Sequence, residues 1–192
     1  MSRSRFLSIT SSVALGLVAC CGNSKPKPDA PCGPNGAPAV GLVASSTNPD
    51  LTLTYGNLTA GANNDCPDPS APAGVVSLTI SGPQTDGAGL VTMCIGRPDL
   101  LPQGLTLGFG TDAGVQLIDF DGSTENGCTY SLVTTPPTGT VSAGGECDNG
   151  AGSAGFSLTV SGTVTLMETC GPSTGTVTAA LGGTVAISAS AQ

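Results

Sequence analysis

Short segments in which apolar residues alternate with serine or threonine recur along most of the chain. The segments 51–55, 76–81 and 156–160 are the clearest, since each carries a large side chain at every second position. Successive side chains of a β-strand point to opposite faces, so this period of two predicts strands with one buried face. Further strands are predicted near 40–45, 90–95, 104–109, 114–120 and 128–134. The pattern indicates an all-β domain of about ten short strands.

Glycine-containing pairs interrupt the apolar segments near the end of the chain. Ser161-Gly162 lies inside one segment and Gly182-Gly183 inside another. Glycine supplies the positive φ that two-residue hairpin loops need. We therefore expect a meander of four short strands here. For residues 39–192 as a whole we expect an antiparallel β-sandwich, with two packed sheets braced by disulfides.

The first residues of the chain form a separate segment. Residues 1–5 are basic, and residues 6–19 form an apolar stretch that ends in Leu17-Val18-Ala19-Cys20. The stretch is shorter than the about 20 apolar residues that a membrane-spanning helix needs, and it fits a secretory signal peptide. The four residues before and including the cysteine resemble the lipobox of bacterial lipoproteins, Leu-x-(Ala/Gly/Ser)-Cys.

This resemblance implies an address in the cell envelope. In lipoproteins the peptidase cleaves before the cysteine, so residues 1–19 would be the signal peptide and Cys20 would carry the lipid. Lipoproteins that stay at the inner membrane often have Asp after this cysteine, whereas Cys21 stands here. The resemblance therefore favours the outer membrane or cell surface. Residues 20–38, rich in proline and glycine, are expected to be an extended tether.

Charge excludes several classes of partner. Charged residues make up 9% of the chain, far below the about 25% of a typical soluble protein. The net charge is −8, there is no histidine, and after residue 39 the only basic side chain is Arg97. Such a domain repels nucleic-acid phosphates and anionic lipid headgroups. Any membrane attachment should therefore be covalent. As the one basic side chain of the domain, Arg97 is expected to pair with a nearby carboxylate, and the alternative is that it anchors a ligand.

The chain contains eight cysteines, and export to an oxidising compartment favours disulfides between them. Six of them are candidates for three bridges: Cys32, Cys66, Cys94, Cys128, Cys147 and Cys170. Sequence does not choose among the connectivities, but short loops favour Cys32–Cys66, Cys94–Cys128 and Cys147–Cys170. Cys21 would then remain a free thiol or form an intermolecular bridge. A zinc site is disfavoured, because the chain has neither a C-x-x-C motif nor a histidine.

Two glycine-rich segments are similar to catalytic signatures but lack features that those signatures require. Residues 171–175 read G-x-S-x-G, as in the nucleophile elbow of the α/β-hydrolases. That motif needs a following helix and a histidine that accepts the serine proton. Residues 108–114 have the wrong spacing for a phosphate-binding loop and are expected to be a turn between strands. We predict no catalytic residue.

One acidic cluster could bind a cation. Oxygen-bearing side chains alternate at Asp119, Asp121, Ser123 and Glu125. Calcium takes six to eight hard oxygen ligands, so a calcium loop is one interpretation of these residues. The other interpretation is an exposed acidic turn. No further cofactor is expected.

These observations favour a lipid-anchored, non-enzymatic module for binding, adhesion or envelope structure. Its partners would be the membrane, through the lipid, and an unidentified protein or glycan. Two alternatives remain open at this point. One is an exported hydrolase that uses a pair of carboxylates, and the other is an interaction module stabilised by calcium.

Overall fold

The computed structural model describes residues 41–63, 65–103, 105–110, 114–148 and 154–188, and in these ranges the fold is all-β, as predicted. The strands in chain order are β1 (Gly41–Thr47), β2 (Asp50–Tyr55), β3 (Thr59–Asn63), β4 (Ser77–Pro83), β5 (Leu90–Ile95), β6 (Thr106–Phe109), β7 (Gly114–Ser123), β8 (Cys128–Leu132), β9 (Thr138–Asp148), β10 (Ala154–Cys170) and β11 (Ser173–Ser188). A short 3₁₀ helix, Pro98–Gln103, follows β5. Across the described ranges, no helix has the length and hydropathy needed to cross a bilayer.

The eleven strands belong to one continuous sheet rather than to two packed sheets. Their order is β2-β1-β11-β10-β9-β6-β7-β5-β4-β3, and β8 pairs with both β10 and β7. Strands β6, β9, β10, β8 and β7 therefore form a closed ring, and a bridge between Tyr55 and Gln84 joins the ends of β2 and β4. The all-β prediction is confirmed, while in place of the expected sandwich the sheet closes on itself.

The two longest strands pass through the glycine pairs without turning. Strands β10 and β11 pair from Gly155 opposite Ser188 to Cys170 opposite Ser173, in one antiparallel hairpin. The predicted meander of four strands is therefore wrong. Gly183 has a φ of 141°, which departs from an ordinary strand conformation. Glycine inside a strand often marks a bend or a close approach of backbones, so these glycines belong to the interior of long strands rather than to turns.

Four glycines on neighbouring strands, Gly41, Gly139, Gly162 and Gly183, form what we call the glycine row. Gly139 lies opposite Gly162, and positive φ values occur at Gly41, Gly139 and Gly183. A Cβ atom added to Gly162 would lie 2.0 Å from the carbonyl oxygen of Thr138. The backbones of adjacent strands thus approach within a distance that only glycine permits.

The core follows the alternation seen in the sequence. Leu51, Leu53 and Tyr55 are buried, while Thr52 between them is exposed. The rings of Tyr55 and Phe120 lie 4.8 Å apart, and the Tyr55 hydroxyl donates a hydrogen bond of 2.7 Å to the carbonyl of Asp121. Burial raises the pKa of Tyr55 well above its usual range. The hydroxyl therefore stays a neutral donor that ties β2 to β7.

Candidate functional site

The four residues of the proposed calcium loop do not converge. Asp119, Asp121 and Ser123 occupy alternate positions of β7, and Glu125 follows in the turn after the strand. Alternate residues of an extended strand lie about 7 Å apart, whereas calcium needs its oxygens about 2.4 Å from the ion. The strand spreads these side chains along its length, so they do not surround a common point.

Two of these side chains instead hold the loop that connects β4 to β5. The Asp121 carboxylate accepts a hydrogen bond from the backbone N–H of Leu90, and the Ser123 hydroxyl accepts one of 2.9 Å from Ala88. The buried amide of Gln84 donates to the carbonyl of Ser123 at 2.7 Å and accepts from its N–H at 2.9 Å. Asp121 and Ser123, which the sequence suggested as cation ligands, therefore form hydrogen bonds that connect β7 to the neighbouring loop.

Two disulfides lie in the described part of the chain, and they differ in burial. Cys66 and Cys94 are 4% and 0% exposed, and their bridge fastens the segment before β4 to β5. Cys128 and Cys170 lie directly opposite each other on β8 and β10, with a Cα–Cα distance of 4.3 Å, and both are partly exposed. The first bridge thus lies in the core, and the second lies partly exposed at the edge of the core.

The three disulfide pairings predicted from short loops are wrong. Cys66 bonds to Cys94 rather than to Cys32, and Cys170 bonds to Cys128 rather than to Cys147. The reason is topological, because β8 pairs with β10 and thereby brings together cysteines that are 42 positions apart. Cys20, Cys21 and Cys32 lie outside the described residues, as does the side chain of Cys147.

Arg97 pairs with a carboxylate, as predicted. Its guanidinium donates two hydrogen bonds of 2.8 Å to the two oxygens of Asp99. A third nitrogen reaches the carbonyl and hydroxyl of Ser70, and the same hydroxyl donates to Asp68 at 2.7 Å. The hydrogen bonds from Arg97 lower the pKa of Asp99, and those from Ser70 lower the pKa of Asp68. This group therefore stabilises a loop close to the buried bridge.

A second polar pair lies beside the exposed bridge, and no sequence motif indicated it. The Tyr130 hydroxyl donates a hydrogen bond of 2.8 Å to the carboxylate of Glu168, and burial together with this bond raises the pKa of Tyr130. A carboxylate oxygen of Glu168 and the sulfurs of Cys128 and Cys170 lie within 4.8 Å of one another. In the described ranges this is the one cluster of three side chains of metal-ligating types, but its two sulfurs are bonded to each other.

A small apolar cleft opens between β7 and the segment that follows β8. It has a volume of about 260 Å³ and is lined by Leu117, Leu132, Val133, Pro137 and neighbouring residues. Gln116 and Thr134 contribute the polar part of its lining. The lining contains no ionisable side chain, so the cleft offers neither an acid nor a base to a reaction. The fit is for a small apolar group with polar atoms at its edge.

The outer face of β9, β10 and β11 is uncharged, and we call it the hydroxyl face. Met167 and Ala180 also lie on this face. Most of its side chains, however, are serines and threonines at alternate strand positions: Thr138, Thr140, Ser142, Thr159, Ser161, Thr163, Thr165, Thr176 and Thr178. The hydroxyls of Thr138 and Thr163 lie 2.8 Å apart across the strands. This surface can form hydrogen bonds without ionic contacts.

Comparison with family models, curated proteins and solved structures returned no match for the chain. The chemistry of the surfaces described above therefore carries the functional argument.

Proposed function

We propose that this protein is a lipid-anchored, non-enzymatic binding module of the bacterial cell envelope. The apolar cleft would receive one apolar side chain of a partner protein. The observation that carries the proposal is the lining of the cleft, which is apolar and free of ionisable groups. Such a surface supports binding, since proton transfer needs a titratable group within hydrogen-bond reach.

The size and edge of the cleft support this choice of ligand. Its volume of about 260 Å³ is below the about 300–1,000 Å³ of pockets that hold a free small molecule. Protein interfaces commonly place an apolar anchor in a pocket with a polar rim. Gln116, Thr134 and Thr135 would supply that rim.

The alternative of a hydrolase with two carboxylates finds less support. Such an enzyme needs two acidic side chains that face each other across a cleft, one of them with a raised pKa. Among the described carboxyl groups with a shifted pKa, Asp68 and Asp99, the shift is downward. Both carboxyl groups lie in the Arg97 loop rather than at the cleft.

The calcium alternative also finds less support, because Asp119, Asp121 and Ser123 are spread along β7.

The proposed anchor is tested by the two neighbouring cysteines. Cells that express the full chain and grow on labelled fatty acid should incorporate label into the mature protein. Cys20→Ala should abolish both the label and membrane association, whereas the matched control Cys21→Ala should retain them. Label that survives in the Cys20 variant, or a mature protein that begins elsewhere, would refute lipidation at this residue.

The proposed ligand is tested with single amino-acid mimics. N-acetyl-leucinamide should shift the methyl NMR signals of Leu117, Leu132 and Val133 in a saturable manner, whereas N-acetyl-glycinamide should not. Val133→Asp should abolish the shift, because it introduces a charge into the apolar lining. The matched control is Val76→Asp, at an exposed valine outside the cleft. No saturable shift, or equal loss in both variants, would overturn the assignment of the cleft.

A further inference from the structure

The two described disulfides differ in the access that they offer to a thiol. Thiol–disulfide exchange begins when a thiolate reaches one sulfur of the bridge, so burial protects a bridge and exposure admits attack. Cys66 and Cys94 are almost fully buried. Cys128 and Cys170 are partly exposed, and Cys170 ends β10 immediately before the exposed residues Gly171 and Pro172. The second bridge therefore offers an attacking thiolate more access than the first bridge does.

The strand pairing around the exposed bridge also permits local opening. Strand β8 has five residues, and Cys128 is its first residue. On one side it pairs with β10 from Leu132 opposite Leu166 to Cys128 opposite Cys170, and on the other it pairs with β7 over three residues. The bridge therefore lies at the last residue pair of the β8–β10 ladder, and the ends of a ladder fray at lower free energy than its centre does.

Glu168 is placed to control the reactivity of this bridge. Its carboxylate lies within 4.8 Å of both sulfurs and is held by the hydroxyl of Tyr130. A nearby negative charge raises the pKa of the thiol that leaves during exchange, and thiols of higher pKa leave more slowly. The same charge repels the incoming thiolate. The carboxylate should therefore slow the reduction of a bridge that is otherwise accessible.

We propose that Cys128–Cys170 is a thiol–disulfide exchange site for a dithiol reductase of the cell envelope, and that Glu168 restrains its rate. One thiolate of the dithiol attacks a sulfur of the bridge. The S–S bond breaks as a mixed disulfide forms, and the released cysteine takes up a proton. The second thiol of the reductase then displaces the other cysteine. Two electrons and two protons pass to the protein, and the reductase leaves as a disulfide. The choice of an envelope reductase rests on the proposed location of the protein, whereas the exchange site itself does not depend on the function of the cleft.

The experiment follows the reduction of the native full chain by dithiothreitol. Samples are alkylated at intervals, and each cysteine is assigned by peptide mapping. Cys128 and Cys170 should be alkylated at least about tenfold sooner than Cys66 and Cys94, because only the buried pair must wait for a large opening. Equal rates for the two pairs, or earlier alkylation of the buried pair, would refute the exchange site.

A matched pair of variants tests the role of the carboxylate. Glu168→Gln removes the charge but keeps an acceptor for Tyr130, and it should speed reduction of Cys128–Cys170 by about three- to tenfold. Glu125→Gln removes an equal charge from the exposed turn before β8 and should leave the rate unchanged. A purely structural role for Glu168 predicts no such difference, so equal rates in the two variants would refute the restraint.

Discussion

The two halves of the sheet bring their strands together by different means. In the half formed by β1, β9, β10 and β11, backbones approach closely at the glycine row, and the outer surface is the uncharged hydroxyl face. In the half formed by β2, β4, β5 and β7, side chains connect the strands. The Gln84 amide binds the backbone of Ser123, the Tyr55 hydroxyl binds Asp121, and a buried disulfide includes Cys94. The first half therefore depends on the absence of Cβ atoms at its glycines, whereas the second depends on hydrogen bonds and a disulfide made by its side chains.

This difference determines which substitutions each half tolerates. The glycine half should be sensitive to any added Cβ and tolerant of changes on its outer hydroxyls. The side-chain half should be sensitive to the loss of a single donor or acceptor, because a buried polar group without a partner destabilises the fold. The predictions below test this contrast in order of expected effect.

The largest effect is expected in the glycine row. Gly139 has a φ of 121°, and a Cβ added there would lie 2.2 Å from the carbonyl oxygen of Ser161. Gly139→Ala should therefore lower the free energy of unfolding by about 3 kcal/mol or more, measured by urea denaturation. The control is Gly61→Ala on β3, where no atom lies within 4 Å of the added Cβ, and it should change little. Similar losses in both variants would argue against a special role for the row.

An intermediate effect is expected from the buried amide of the other half. Gln84→Ala removes both hydrogen bonds to the backbone of Ser123 and should lower the free energy of unfolding by about 2 kcal/mol. The control Gln103→Ala removes one exposed bond to the Asp99 carbonyl and should remain within about 0.5 kcal/mol of wild type. If thermal or urea unfolding shows no gap between the two, the side-chain ties are not what stabilises this half.

The smallest effect concerns pH and the ion pair of Arg97. Hydrogen bonds from Arg97 hold the pKa of Asp99 below its unfolded value, so the pair stabilises the fold above about pH 4 and loses this contribution as pH falls further. Arg97→Met should lower the unfolding free energy slightly above about pH 4 and leave it nearly unchanged at lower pH, which flattens its dependence on pH. Titration curves of the same slope in both proteins would contradict this role.

Periodicity could predict most strands, because alternation depends only on which face is buried. It missed β3, Thr59–Asn63, whose small residues are almost all exposed, and β9, Thr138–Asp148, where glycines interrupt the pattern. It wrongly predicted hairpins at Ser161-Gly162 and Gly182-Gly183, because the sequence does not distinguish a glycine in a turn from a glycine inside a strand. Only the pairing between strands distinguishes them.

The site was harder to predict, because its members come from separate strands. The cleft joins β7 to the proline-containing segment after β8, and the Tyr130–Glu168 pair joins β8 to β10. The spacing of residues along the sequence does not predict contacts between separate strands. The cysteine pairing depends on the same register. Cys32 and Cys147 stay candidates for a further bridge, and the lipid at Cys20 stays a prediction.

The pairing of the first and last strands gives the domain a practical property. Gly41 at the start of β1 lies opposite Thr184, four residues before β11 ends at Ser188, so the described domain begins and ends on neighbouring strands whose paired Cα atoms are about 5 Å apart. A domain with neighbouring ends can be spliced into a surface loop of an unrelated carrier, or circularly permuted with its new ends at the exposed Gly171 turn.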